Sequence, residues 1–179
     1  MIEHHIGDMF SSKAPTLVDP VNTVGAMGKG LALEFRRRYP SLEEPYRRRC
    51  ADGSFTIGRL MLLKVHDRHV LLIPTKRHWR QKSEISYIEQ ALANVKRNLH
   101  RFPKDEDGRV RIAFPPLGCG LGGLSWDAVQ PLFDVFDDNP SIVVEIWTPC
   151  IKDDSMYKDG MEPSNGHGGE GIPHQRKPQ

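Results

Sequence analysis

Cysteine is scarce in this sequence. The 179 residues include three, Cys50, Cys119 and Cys150, and no two form a Cys-x-x-Cys pair. Scattered thiols in odd number argue against a disulfide framework or a cysteine zinc site and fit a reducing compartment, the cytoplasm. Long apolar runs are also missing, and the start, MIEHHIGDMF, has no signal-peptide core, so neither a membrane span nor a leader is expected. No sign of charge dominates: 25 Lys and Arg face 23 Asp and Glu, a net charge of +2. That balance lacks the footprint of a general nucleic-acid-binding protein and argues only weakly for an anionic ligand. Eight histidines are present without a helical i,i+4 ligand pair, so no metal is expected. Repeats and internal linkers are absent too.

What the sequence does have is a regular alternation of extended and helical patterns. Thr16-Leu17-Val18 reads as a buried strand, and Gly28 to Arg38 as a helix with apolar Leu31, Ala32 and Phe35 and cationic Arg36–Arg38 in its last turn. Ser41-Leu-Glu-Glu44 matches a capping box, which predicts a second helix to about Cys50. Arg59–Val65 and His69–Pro74 flank a charged turn as a hairpin. A helix opens at Ser83 or Glu84, with Ile85, Ile88, Leu92, Val95 and Leu99 at helical spacing. A strand follows from Arg109 to Pro115. Ser125 then caps a helix to Phe136 that Pro131 kinks or shortens, and Ile142–Trp147 closes the body as a buried strand. The pattern predicts one α/β domain over residues 1–151, a mixed sheet with helices on both faces. Residues 152–179, rich in Gly, Pro and charge, read as a disordered tail.

Two glycine-rich segments, VNTVGAMGKG (21–30) and PLGCGLGG (116–123), each lie between a strand and a helix. Glycine lets the backbone approach a ligand closely, and N–H groups near a helix start make a nest for anions. Two such loops at the carboxyl edge of one sheet point to a phosphate-bearing ligand. A triphosphatase is not expected, because Lys29 is followed by glycine rather than Ser or Thr and the first half of GxxxxGK is missing. Lys29 itself reads as a solvated residue at a helix start. PTKRHW (74–79) ends an apolar strand in a basic, aromatic cluster. Lys76 there is placed to neutralise a diphosphate or, with its pKa lowered, to act as an amine nucleophile; Arg77 and Arg80 supply neighbouring cations. His78 is read as a surface imidazole. Asp8 suits either an adenine amino group or a turn cap, and Asn22 either a ribose hydroxyl or the loop's own shape.

GDMF, LVDPVNTVGAMGKGLALEFRRRYP, PTKRHW and PPLGCGLGGLSW, in this order over residues 1–149, together resemble the macrodomain family. The resemblance implies a three-layer α/β/α module that binds ADP-ribose. It is most similar to the DarG-type DNA ADP-ribosyl glycohydrolase branch, which removes ADP-ribose from thymidine in DNA. It implies that Asp8 reads the adenine amino group. Asn22, Thr23, Val24, Gly25, Met27, Gly28 and Gly30 would surround the distal ribose and diphosphate. Pro116, Leu117, Gly118, Cys119, Gly120, Leu121 and Gly122 would hold the diphosphate, and Lys76 would be catalytic, without cofactor. A monomer is expected, with ADP-ribosylated DNA as substrate and a DarT-like toxin as functional opponent. The alternatives the resemblance leaves are a non-catalytic ADP-ribose-binding module and an ADP-ribose 1″-phosphate phosphatase. Two positions depart from relatives. Gly122 stands where the terminal ADP-ribose hydrolases of eukaryotes have an aspartate, which favours the DNA-type branch. Asp19 stands where many macrodomains have an asparagine.

Overall fold

The computed structural model describes residues 1–150; the predicted tail lies outside them. The chain runs β1 (Ile2–Ile6), β2 (Thr16–Asn22), α1 (Gly30–Arg38), α2 (Glu43–Ala51), β3 (Met61–Val65), β4 (Arg68–Lys76), α3 (Ile85–Arg97), β5 (Val110–Phe114), α4 (Trp126–Val129) and β6 (Ile142–Thr148). The six strands form one sheet in the order β1-β6-β5-β2-β4-β3. Every pair is parallel except β3 with β4, the predicted hairpin.

Strands buried on both faces read as unbroken apolar runs. In β4, Val70, Leu71, Leu72 and Ile73 are all fully buried. Their side chains alternate between two cores, as the pleat requires. Val70 and Leu72 join Leu17, Val21 and Ala113 on the face covered by Phe35 of α1 and Tyr46 of α2. Leu71 and Ile73 join Val18, Ile112 and Phe114 on the face covered by Ile88, Leu92 and Val95 of α3 and by Val129, Phe133 and Phe136. The result is the expected three-layer α/β/α arrangement around a mixed sheet.

Several local expectations are refined. The edge strand β1 was not anticipated, because its alternation IEHHI is weak; it is held by parallel pairing with β6. The helix expected from Gly28 starts at Gly30. The capping box does not form: Pro40–Leu42 makes a 3-10 turn, and α2 begins at Glu43 with no side-chain cap. Ser125 likewise gives no cap bond, and α4 passes after one turn into a 3-10 segment, Gln130–Phe136, that contains Pro131. Leu99 falls in a 3-10 turn just beyond α3.

β2 is longer than the sequence implied and continues through Asp19-Pro20 to Asn22. It pairs with β4 along its whole length but with β5 only at Thr16 and Leu17. Pro20, which has no N–H to donate, therefore lies in a stretch where one side of the strand carries no ladder. The chain passes from β2 outward to β3 and β4, then back across to β5. Past Leu17 the carboxyl ends of β2 and β5 diverge, and this is the switch point at which open α/β sheets bind ligands.

Toward β1 and β6, the face of the sheet that carries α1 and α2 holds a polar cluster. Arg111 of β5 pairs with Glu3 (2.9 Å), Glu145 (3.0 Å) and Asp105 (3.2 Å). Glu145 also accepts from Ser12 Oγ (2.6 Å) and Trp147 Nε1 (2.8 Å). Burial alone would raise the Glu145 carboxyl, but these donors hold it below the usual carboxylate range. His5, Glu3 and Glu145 bring ligand-type atoms within 4.8 Å of one another, and the Arg111 guanidinium already bridges the two carboxylates.

Candidate functional site

Three connections meet at the carboxyl edge of β2, β4 and β5. The first loop, residues 23–29, leaves β2 and feeds α1. Its shape is set by Asn22, whose side chain is buried. Asn22 Oδ1 accepts from the N–H of Val24 (3.0 Å) and Ala26 (3.2 Å), while its Nδ2 donates to Ala26 O (2.7 Å). The Tyr46 hydroxyl, held by α2, donates to Asn22 O (2.8 Å) and Oδ1 (3.0 Å). Of the two uses open to Asn22, the structure shows the loop-holding one. Gly25 has φ +79°, and a Cβ there would lie 3.3 Å from Arg47 Cα, so α2 presses directly on the loop. Val24 projects outward, 49 % exposed, beside exposed Gly28 and Gly30. Met27 is buried in the core and fastens the loop from beneath. Lys29 is exposed at the start of α1, as expected, and contributes no side-chain cap, which leaves the first-turn N–H groups facing outward.

The second loop, residues 115–124, leaves β5. It is two consecutive turns, closed by Cys119 N to Pro116 O (3.1 Å) and Gly123 N to Gly120 O (3.0 Å), with Leu124 N returning to Gly118 O (3.0 Å). Leu117 is a core residue, whereas Gly120 and Leu121 stand exposed at the rim. Burial pushes the Cys119 thiol up to about 11, which makes it a poor nucleophile. Gly122 has no alternative: a Cβ there would lie 2.3 Å from both Gly118 O and Ser83 Oγ. A carboxylate-bearing side chain at this position is thus incompatible with this backbone.

The two loops touch each other and the end of β4. Leu121 Cδ1 lies where a Cβ on Gly30 would come within 3.2 Å. Lys76, the last residue of β4, donates from Nζ to Leu121 O at 2.9 Å. Thr23 binds the next residue of the β4 segment twice, through its N–H (3.1 Å) and Oγ1 (2.8 Å) to Arg77 O. Ser83 N donates to Gly122 O (3.0 Å). Lys76 is half-buried among these groups, and burial lowers its ammonium below the usual lysine value. The cluster therefore offers an amine whose pKa is lowered by burial, set against the glycine-rich second loop.

Asp8 stands apart from this cluster. Its Oδ1 accepts from Phe10 N (2.9 Å) and caps a 3-10 turn, and its Oδ2 lies 3.6 Å from Arg38 in the last turn of α1. Arg38 itself lies about 12 Å along α1 from Gly30. The turn-cap use is present, and one carboxylate oxygen stays exposed to solvent with Arg38. Sequence reasoning missed Tyr46 and Thr23 as supports of the loops. EEPYRRR carries no motif for Tyr46, and only the packing of α2 under Asn22 shows its role.

Comparison with known proteins places this arrangement. The Macro domain family model matches residues 18–133, which contain both loops and Lys76. A curated DNA ADP-ribosyl glycohydrolase of Mycobacterium tuberculosis is 37 % identical over 154 residues, 83 % of this chain and 42 % of the relative. A DNA ADP-ribosyl transferase-DNA ADP-ribosyl glycohydrolase fusion protein of Thermosipho africanus is 36 % identical over 165 residues, 82 % of this chain and 41 % of the relative. The chain thus spans about two fifths of these relatives. Among solved structures, the macrodomain of Mycobacterium tuberculosis DarG superposes with TM-score 0.73 at 37 % identity, covering 82 % of this chain and 97 % of that one. Thermosipho africanus DarTG in complex with ADP-ribose gives 0.72 at 36 % identity, covering 84 % and 43 %. With its six-stranded mixed sheet, its two glycine loops at the β2–β5 opening and these matches, the chain belongs to the macro domain family.

Proposed function

We propose that this domain is an ADP-ribosyl hydrolase that removes ADP-ribose from thymidine in DNA, with Lys76 as the reacting group. The observation that carries the reading is Lys76 itself: an amine with lowered pKa, fixed at 2.9 Å from Leu121 O, between two backbone loops suited to a diphosphate. The glycohydrolases it resembles are named for activity on DNA, and the absent carboxylate at Gly122 fits that branch rather than one acting on protein esters. Val24 and Leu121 would form apolar walls of the site, and the N–H groups at the start of α1 would take up phosphate charge. Asp8, beside Arg38 at the other end of α1, would take the adenine end of an extended ligand. The relative that joins a DNA ADP-ribosyl transferase to a glycohydrolase in one chain supports a transferase toxin as the activity this domain reverses.

In the reaction, neutral Lys76 Nζ attacks C1″ of the distal ribose, and the C1″–N bond breaks with its electron pair leaving on the thymine ring nitrogen. The departing nitrogen takes up a proton, and the ammonium formed on Nζ loses one. Ring opening gives an imine, which water hydrolyses to free ADP-ribose and the restored amine. The test uses an oligonucleotide bearing one ADP-ribosylated thymidine, with wild type, Lys76→Ala and Lys76→Arg. Both variants should lose at least a hundredfold in kcat, and borohydride should trap a covalent ADP-ribose adduct on the wild type alone. As the amine must be neutral, the wild-type rate should climb with pH and level off below the ordinary lysine value of ~10.4. Retained activity in Lys76→Arg without an adduct would replace the nucleophile by an electrostatic role. Equal activity in Lys76→Ala would end the assignment.

A further inference from the structure

The loop that follows Lys76 has features the hydrolysis does not use. Lys76 to Lys82 reads KRHWRQK, four cations and no acid within seven residues, in a chain whose net charge is only +2. At its apex Trp79 is 50 % exposed, one of few large apolar side chains so placed among the described residues. Two flat groups neighbour its indole, the His78 ring, 5.0 Å away and tilted 30°, and the Arg80 guanidinium, 4.5 Å from the ring centroid, and half of the residue's surface stays open to solvent.

Building on the DNA-hydrolase reading, we propose that this loop is a docking platform for the single strand of DNA flanking the modified nucleotide. One unmodified base stacks on Trp79, and neighbouring phosphates lie against Arg80 and the cleft between Arg77 and Lys82. Base stacking on an exposed aromatic beside a cationic groove is how proteins hold single strands without reading sequence. A base inside a duplex already has both faces covered and cannot offer one to Trp79, so the platform selects unpaired DNA.

The platform is rigid before any strand arrives. Gln81 N donates to His78 O (2.9 Å) and Arg80 N to His78 Nδ1 (3.2 Å). The loop is anchored at both ends: Thr23 binds Arg77 O, and Ser83 N binds Gly122 O. Arg77 Nε donates to the Tyr87 hydroxyl at 3.0 Å. The cleft beside it is lined by Arg77, Gln81, Lys82, Ser83, Glu84 and Tyr87. Its one acid, Glu84, accepts from the Tyr87 hydroxyl (2.6 Å) and is outnumbered by Arg77 and Lys82. Ser83, 6 % exposed, has an Oγ without a hydrogen-bond partner. Trp79 is three positions beyond Lys76, at most about 11 Å between their Cα atoms. A strand whose modified base enters at Lys76 thus reaches Trp79 within a nucleotide or two.

The experiment measures two things with the full chain as wild type, Trp79→Ala, Trp79→Phe and Arg80→Ala. Fluorescence anisotropy follows binding of an unmodified ten-nucleotide oligothymidine, its duplex with oligoadenine, and polyglutamate. Hydrolysis is compared between ADP-ribosylated thymidine inside the oligonucleotide and the lone ADP-ribosylated nucleoside. We expect Trp79→Ala to weaken single-strand binding roughly 5- to 100-fold, with Trp79→Phe recovering most of it. Arg80→Ala should lower the salt dependence of binding. The kcat/KM of Trp79→Ala should fall on the oligonucleotide and stay at the wild-type level on the nucleoside. Unchanged single-strand binding by Trp79→Ala, equal losses on both substrates, preference for the duplex, or polyglutamate competing as well as DNA would each overturn the platform. Trp79-dependent binding without hydrolysis would uphold the platform and reject the hydrolase reading. Hydrolysis insensitive to Trp79 would do the reverse.

Discussion

Replacing Asp19 by asparagine should stabilise this protein, and the gain should grow with pH. Asp19 sits on β2 with 0 % exposure, and neither carboxylate oxygen has a hydrogen-bond partner. Flanking Leu17 and Val21 belong to the apolar core, and the nearby Tyr46 hydroxyl is committed to Asn22. Burial therefore pushes the Asp19 carboxyl well above its usual value. The unfolded chain releases this proton near pH ~3.9, while the folded chain keeps it to higher pH. Between those two values the folded state binds more protons, so stability is full below the unfolded value and falls as pH rises. The slope is at most ~1.4 kcal/mol per pH unit, which over pH 4 to 7 accumulates to at most ~4 kcal/mol. That is a sizeable share of the ~5–15 kcal/mol a domain has. Asparagine has nearly the same volume and does not titrate, and its buried amide carries a desolvation cost close to that of the neutral carboxyl. Urea unfolding followed by circular dichroism at pH 4.5, 6.0 and 7.5 gives the difference between variant and wild type. It should be smallest at pH 4.5 and grow with pH, by at most ~1.4 kcal/mol per unit, until the folded carboxyl itself ionises. Parallel stability curves for the two proteins would refute the reasoning, as would a wild type that gains on the variant with rising pH.

Arg111→Met should cost roughly 3 kcal/mol at pH 7, because it leaves Glu145 buried without its cation. The Glu145 pKa is lowered in the fold, so its contribution is present above the unfolded value of ~4.3 and lost as pH falls through the folded one; the penalty should therefore shrink in acid unfolding experiments. Gly122→Asp, which adds a side chain where the backbone leaves no room, should destabilise by about 1–3 kcal/mol through collision with Gly118 O and Ser83 Oγ. It should also yield no turnover of an ADP-ribosylated glutamate peptide, a result checked by release of free ADP-ribose; efficient turnover would contradict the geometry.

Most of the fold was legible because its signals are local. The run VLLI announced an apolar strand, and Ile85, Ile88, Leu92 and Val95 announced the inner face of α3. Those patterns arise from the two-residue and 3.6-residue periods of the backbone itself. Where the signal depended on a partner, it failed. β1 forms because β6 pairs with it, and α2 dispenses with the capping box because a turn through Pro40 delivers the chain to Glu43.

The candidate site divides in the same way. Residue identity alone selected the two glycine loops and Lys76, because only glycine tolerates positive φ at Gly25 and only an amine offers a cation that can become a nucleophile. Sequence left Asn22 and Asp8 each with two uses, and only the folded chain shows which bonds they make. Tertiary structure alone brings Lys76 to Leu121 O, sets Tyr46 beneath Asn22, leaves Asp19 without a partner and removes the space for a side chain at Gly122. These are contacts between residues tens of positions apart in the chain. Their distances and desolvation come from the closing of the sheet and its two helical layers, which no local pattern encodes.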